Sequence, residues 1–174
     1  NFDHYVTALM QKGYEVMAFD APAHGKSEGK TVNALDYSSM IKQVIQLYGP
    51  VDAFIAHSFG GLSVCLALEE IPHDASTKLV LIAPATETTT AIETAFTMLG
   101  LKGNTVKQAL VDYITAMSGK APDWFSVSRA MKYLKASVLW CHDKEDDITP
   151  FADVEPVMKQ GHSHLQFHIS SGLG

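Results

Sequence analysis

The chain has 174 residues, enough for one domain with a sizeable core. Apolar residues make up 47% and charged residues 18%, which excludes disordered and low-complexity classes. Thirteen basic against nineteen acidic side chains leave a net charge of −6, which argues against a nucleic-acid-binding surface, and no apolar run approaches the ~18 residues of a membrane span.

Taken in chain order, short apolar runs alternate with helical patterns. Residues 1–13 read as a helix, with Phe2, Tyr5, Val6, Leu9 and Met10 at helical spacing and Gly13 ending it. Tyr14–Phe19 reads as a strand. Asn33–Tyr48 reads as a helix with one apolar stripe, and Val51–His57 as a strand. Gly60–Ile71 is a helix stopped by Pro72, and Lys78–Pro84 a strand. Residues 87–135 hold about three helices. Ser137–His142 reads as a strand, Asp153–Gln160 as a short helix that tolerates Pro156 in its first turn, and Leu165–Ile169 as the last strand. These strands are apolar almost throughout. That pattern, with helices between them, predicts an α/β fold: a mostly parallel sheet between helical layers. The stretch 87–135 is far longer than a simple crossover and reads as an insertion over one end of the sheet. Ligands of open parallel sheets bind at the carboxyl ends of the strands. Cys65 and Cys141 lie in apolar runs and read as buried free thiols; this cysteine usage fits a cytoplasmic protein.

The strongest chemical signal is Ala56-His57-Ser58-Phe59-Gly60-Gly61, between a strand and a helix. A tight strand–turn–helix with small residues at 56 and 60 sets Ser58 at a helix N-terminus. There the backbone N–H of Phe59 can stabilise an oxyanion. The blander alternative is a glycine-rich loop with a capping serine.

With that motif the chain resembles the α/β-hydrolase superfamily, in particular its esterase, lipase and lysophospholipase-like branch, over nearly its whole length. Asp20-Ala21-Pro22-Ala23-His24-Gly25-Lys26-Ser27 is similar to a loop that is mainly structural in that family, with Ala23 where glycine is usual. The same segment ends like a phosphate-binding loop. That motif needs a glycine where Asp20 stands, and Pro22 removes a backbone donor, so nucleotide binding is rejected.

The segment Trp140-Cys141-His142-Asp143-Lys144-Glu145-Asp146-Asp147-Ile148-Thr149-Pro150 resembles the family's acid loop, Gly-x-x-Asp-x-Ile/Val-x-Pro. Aligned on Ile148 and Pro150, the acid is Asp146, and Asp143 stands where glycine is usual. Asp143, Glu145 and Asp147 compete for the role. The order Ser then Asp fits the family, whose third member is a histidine after the last strand. The chain reads as cut at both ends, so the resemblance implies a base histidine directly after Gly174. It also implies a second oxyanion donor upstream of Asn1, and a fold fragment without its N-terminal strands and C-terminal helix. His168 is the in-chain substitute, though it lies inside a strand. His162, His164 and His168 read as strand and turn residues. His164 and His168 share a strand face ~13 Å apart, too far for one zinc ion.

The resemblance implies a serine hydrolase acting on a small carboxylic ester or thioester, with no cofactor and no metal. The insertion would be a lid whose apolar side meets the acyl group, against an alternative of ordinary helix packing. The competing readings are a non-catalytic binding protein of the same fold, and the same fold carrying out C–C hydrolysis or perhydrolysis.

Overall fold

The computed structural model describes residues 2–173. The chain divides into two compact units, Asn1–Val32 and Asn33–Gly174.

The first unit carries helix α1 (Asp3–Gln11) and a loop. Tyr14–Phe19, expected as a strand, is not one: its residues enter no ladder, and an extended segment without a paired neighbour does not form a sheet. Asp20 organises the loop that follows. Its carboxylate accepts from the Lys26 N–H at 2.9 Å, and its carbonyl accepts from the Ser27 hydroxyl at 2.8 Å. Gly25 must be glycine, because a Cβ there would stand 2.3 Å from the Asp20 carboxylate carbon and φ is +53°. Ala23, where glycine is usual, adopts φ +61° all the same.

The second unit is a parallel sheet with helices. Its strands are β1 (Ala53–His57), β2 (Lys78–Ile82), β3 (Ser137–Asp143) and β4 (Leu165–Ser170), in that spatial order. Helix α2 (Ala34–Tyr48) starts at Asn33, whose side chain accepts from the Asp36 N–H. Helix α3 (Phe59–Leu68) is apolar on every side and buried from Gly61 to Leu68, as a central helix must be. It lies against α2, β1 and the short helix α6 (Val127–Ala130). Parallel register puts Ala56, Leu81, Trp140 and Phe167 in one row on one sheet face, where the first three are buried and Phe167 packs on them. The row behind it, His57, Ile82, Cys141 and His168, stays half-buried or exposed. Cys65 is buried as expected, whereas Cys141 is only half-buried because it falls on this second face.

The stretch 87–135, expected as an insertion, holds helices α4 (Thr88–Met98) and α5 (Asn104–Ser118), a 3₁₀ turn, Pro122–Trp124, and α6. Its neck is an antiparallel bridge between Glu87 and Ser126. The Val127 N–H donates to Thr86 O at 2.8 Å, and the Thr88 hydroxyl to Phe125 O at 2.7 Å. Beyond the neck the chain returns to the core, with Val127, Ala130, Met131 and Ala136 fully buried. Arg129 fastens the neck to α3: its guanidinium pairs with both oxygens of Glu69, its Nε–H donates to Trp124 O, and it stacks 4.0 Å from the Trp124 ring centre. Between β3 and β4 the chain makes a 3₁₀ turn (Phe151–Asp153) and helix α7 (Glu155–Gln160), with Pro156 in its first turn.

Candidate active site

The turn from β1 into α3 is as tight as the sequence requires. Ser58 has φ +50° and ψ −125°, a conformation that costs a non-glycine residue about 1–3 kcal/mol. The strain is held by backbone bonds from the end of β2, the loop after it and the first turn of α3. The Ser58 N–H donates to Ile82 O at 3.1 Å, and Ser58 O accepts from the N–H groups of Gly61 (2.9 Å) and Ala85 (3.0 Å). That loop is itself strained, with Ala83 at φ +40° and its N–H donating to Cys141 O.

Ser58 is half-buried rather than fully exposed. Its hydroxyl does not cap α3 and makes no hydrogen bond among the described residues, which removes the capping-serine alternative. The Phe59 N–H, one residue on, has no acceptor among the described residues, and its ring packs beside Tyr37. The steric demand falls at a different glycine from the one the motif suggests. A Cβ on Gly60 would meet only Tyr37 at ordinary van der Waals distances, its hydroxyl at 3.4 Å. A Cβ on Gly61 would stand 2.8 Å from Pro84 Cβ and 3.3 Å from its Cα.

Asp146 lies in the loop after β3, half-buried. Oδ1 accepts from the N–H groups of Ile148 (2.9 Å) and Thr149 (2.7 Å), and Oδ2 from the Thr149 hydroxyl (2.8 Å). Burial alone would raise its pKa; the bonds from Thr149 and Ile148, with the nearby His142, outweigh it and hold the carboxyl below the ordinary range. Strands β1 and β3 are two strand spacings apart, about 10 Å, so the loops bearing Ser58 and Asp146 leave the same end of the sheet on either side of β2.

Of the competing acids, Glu145 and Asp147 are exposed. Asp143 is buried and ties loops together: it accepts from the Glu145 N–H, the Ser170 hydroxyl and the Leu173 N–H. His168 is paired in register with Cys141, three strands from His57 and so about 14 Å from it, and is not brought to Ser58. The histidine expected directly after Gly174 lies outside the described residues. Among the described residues no group of three or more His, Cys, Asp or Glu is placed to hold a metal, and no helix is long and apolar enough to cross a membrane.

Sequence reasoning missed His142 and Thr149. His142 is 3% exposed, accepts at Nδ1 from the Trp140 indole N–H (3.3 Å), and lies with Nε2 2.7 Å from Thr149 O. In the sequence it is merely the polar end of an apolar strand; only the returning loop gives it a partner.

A sequence model of the family described as serine aminopeptidase, S33, matches residues 1–144. No curated protein matches the chain. Among solved structures, a monoacylglycerol lipase from Paleococcus ferrophilus is 21% identical, covering 98% of this chain and 79% of that one, with a TM-score of 0.71. An esterase from Pyrococcus furiosus is 19% identical, covering 95% of this chain and 65% of that one, with a TM-score of 0.65. A meta-cleavage product hydrolase is 16% identical, covering 98% and 76%, with a TM-score of 0.63. At these identities the likeness establishes the fold.

Proposed function

The chain belongs to the serine aminopeptidase S33 family of α/β-hydrolases, and from that premise we propose that it is a serine hydrolase cleaving a small carboxylic ester or thioester through an acyl-enzyme. The observation that carries this reading is Ser58: a strained residue at a helix N-terminus whose hydroxyl serves no structural bond. A polar group held at this cost, without a structural task, is what a nucleophile requires.

In this reading Ser58 Oγ attacks the acyl carbon while a histidine just beyond Gly174 takes the hydroxyl proton. Asp146, kept ionised by its hydrogen bonds, orients that imidazole and stabilises its charged form. The Phe59 N–H and a second donor upstream of the chain hold the oxyanion. The bond to the leaving oxygen or sulfur then breaks, and the leaving group takes the proton from the imidazolium. Water, deprotonated by the same histidine, attacks the acyl-enzyme and releases the acid and Ser58. Residues 87–135, whose helices α4 and α5 lie beyond the Glu87–Ser126 bridge, serve as a lid over the acyl group.

The test is fluorophosphonate labelling of the natural full-length protein, with the adduct mapped by mass spectrometry, followed by a panel of esters, thioesters and aminoacyl amides. The expected result is an adduct on Ser58, and Ser58→Ala losing both adduct and turnover while melting like the wild type. A folded protein that takes no adduct refutes the reading and leaves a binding protein of the same fold.

A further inference from the structure

We propose that His142 is a positioning residue: in its neutral form, protonated at Nε2, it sets the place of Asp146 through Thr149. This rests on the reading of Asp146 as the acid of a serine hydrolase, and extends it to the groups that hold the acid still.

The loop carrying Asp146 is anchored by polar bonds rather than by apolar packing. Lys144, Glu145, Asp147 and Ile148 are exposed, Ile148 at 62%, so no apolar side chain of this turn is fixed in the core. The Lys144 N–H donates to Ser170 O, the Glu145 N–H to Asp143 and the Ile148 N–H to Asp146, and the remaining bonds of the turn meet at Thr149. Its N–H and hydroxyl both donate to Asp146, one to each carboxylate oxygen, and its carbonyl faces His142.

Chemistry decides which proton His142 carries. Indole Nε1 is a donor only, so the 3.3 Å contact with Trp140 needs the lone pair of Nδ1. A neutral imidazole then has its proton on Nε2, the atom 2.7 Å from Thr149 O, and donates it there. Trp140 is fully buried in the sheet core, so the relay is fixed at its far end by the fold itself. The line Trp140, His142, Thr149, Asp146 thus joins the core of β3 to the carboxylate by successive hydrogen bonds. The charged groups facing His142 are Asp146 on its own loop and Asp153 from the following turn; the Phe151 ring lies 6.2 Å away. A second proton on His142 would set an Nδ1–H against the Trp140 N–H, two donors facing each other, and break the relay at its first link.

The experiment uses the natural full-length protein, whose labelling at Ser58 and ester turnover are measured first. His142→Leu removes both ring nitrogens; His142→Gln restores an N–H near the Nε2 position. Misplacing a catalytic group by an ångström costs up to about 100-fold, so His142→Leu is expected to lower kcat by about 10- to 100-fold with KM within about twofold, and His142→Gln to recover most of that loss. Wild-type kcat in His142→Leu, or no recovery in His142→Gln, overturns the proposal while leaving the hydrolase reading intact. A wild-type protein that neither labels nor turns over ester overturns both. If His142→Leu does not fold, the ¹⁵N resonances of His142 in the wild type decide: a proton on Nε2 supports the relay, and a proton on Nδ1 overturns it.

Discussion

Gly61→Ala tests whether the turn at Ser58 is held by packing or by local helix preference, because the two predict opposite signs. Gly61 sits in the first turn of α3 with no positive φ, so an alanine there gains about 1 kcal/mol of helix propensity. The space says otherwise. The new Cβ would lie 2.8 Å from Pro84 Cβ, 3.3 Å from Pro84 Cα and 3.4 Å from Leu81 Cδ2. Pro84 and Leu81 are fully buried, and Pro84 belongs to the strained loop whose Ala85 N–H holds Ser58 O, so the neighbour cannot swing aside. Overpacking costs typically about 1–3 kcal/mol, and a rigid ring beside backbone places this case at the upper end. Subtracting the helix gain leaves a net loss of about 2 kcal/mol. At roughly 2–4 °C per kcal/mol for a chain of this size, the melting temperature falls by about 4–8 °C. Gly60→Ala is the control: its Cβ meets only Tyr37 at ordinary van der Waals distances, so the helix gain stands and the melt holds or rises. Calorimetry of both variants in the full-length protein gives the answer, and fluorophosphonate labelling reports whether Ser58 has moved. A Gly61→Ala protein melting at or above wild type would refute the steric argument.

Arg129→Ala should cost about 2–3 kcal/mol in urea unfolding, less than the loss of one partner from a fully buried pair, because the Arg129 and Glu69 side chains remain 21% and 17% exposed. Arg129→Lys should recover little of this, since one ammonium cannot make the two-oxygen contact, the bond to Trp124 O and the ring stacking together; a lysine variant as stable as wild type would show that charge alone matters. The depressed pKa of Asp146 adds stability that is present above the ordinary aspartate value near 4 and is lost as pH falls through the lower folded value. The melting difference between wild type and Asp146→Asn should therefore shrink on acidification from about pH 5 to about pH 3, and a difference independent of pH would contradict the hydrogen-bonded carboxylate. At neutral pH the same variant should lose about 10³- to 10⁴-fold in kcat if Asp146 orients the base.

Most helices and strands were legible because their signals are local. Asn33 precedes an apolar stripe and caps α2; Gly161 and Pro156 lie at the two ends of α7; the apolar runs Val51–His57, Lys78–Pro84 and Ser137–His142 become the strands Ala53–His57, Lys78–Ile82 and Ser137–Asp143. The exception, Tyr14–Phe19, shows the limit of such reasoning. An apolar run states a preference for extended backbone, but a strand exists only where a neighbour accepts its hydrogen bonds. The turn at Ser58 was legible for a related reason: its positive φ and the helix that follows depend on residues within a few positions of it.

By itself the amino-acid sequence determined the alternation of strands and helices, the parallel sheet and the turn that presents Ser58, since periodicity, small residues and caps act over one or two turns of chain. Tertiary structure alone decided what holds those parts in place. Pro84 fills the space beside Gly61, Arg129 ties the segment before α6 to Glu69, and Trp140 and His142 reach Asp146 through Thr149. Those contacts join residues from different segments or fix the path of a returning loop, so their energies depend on where the backbone comes back, which no local pattern of residues encodes.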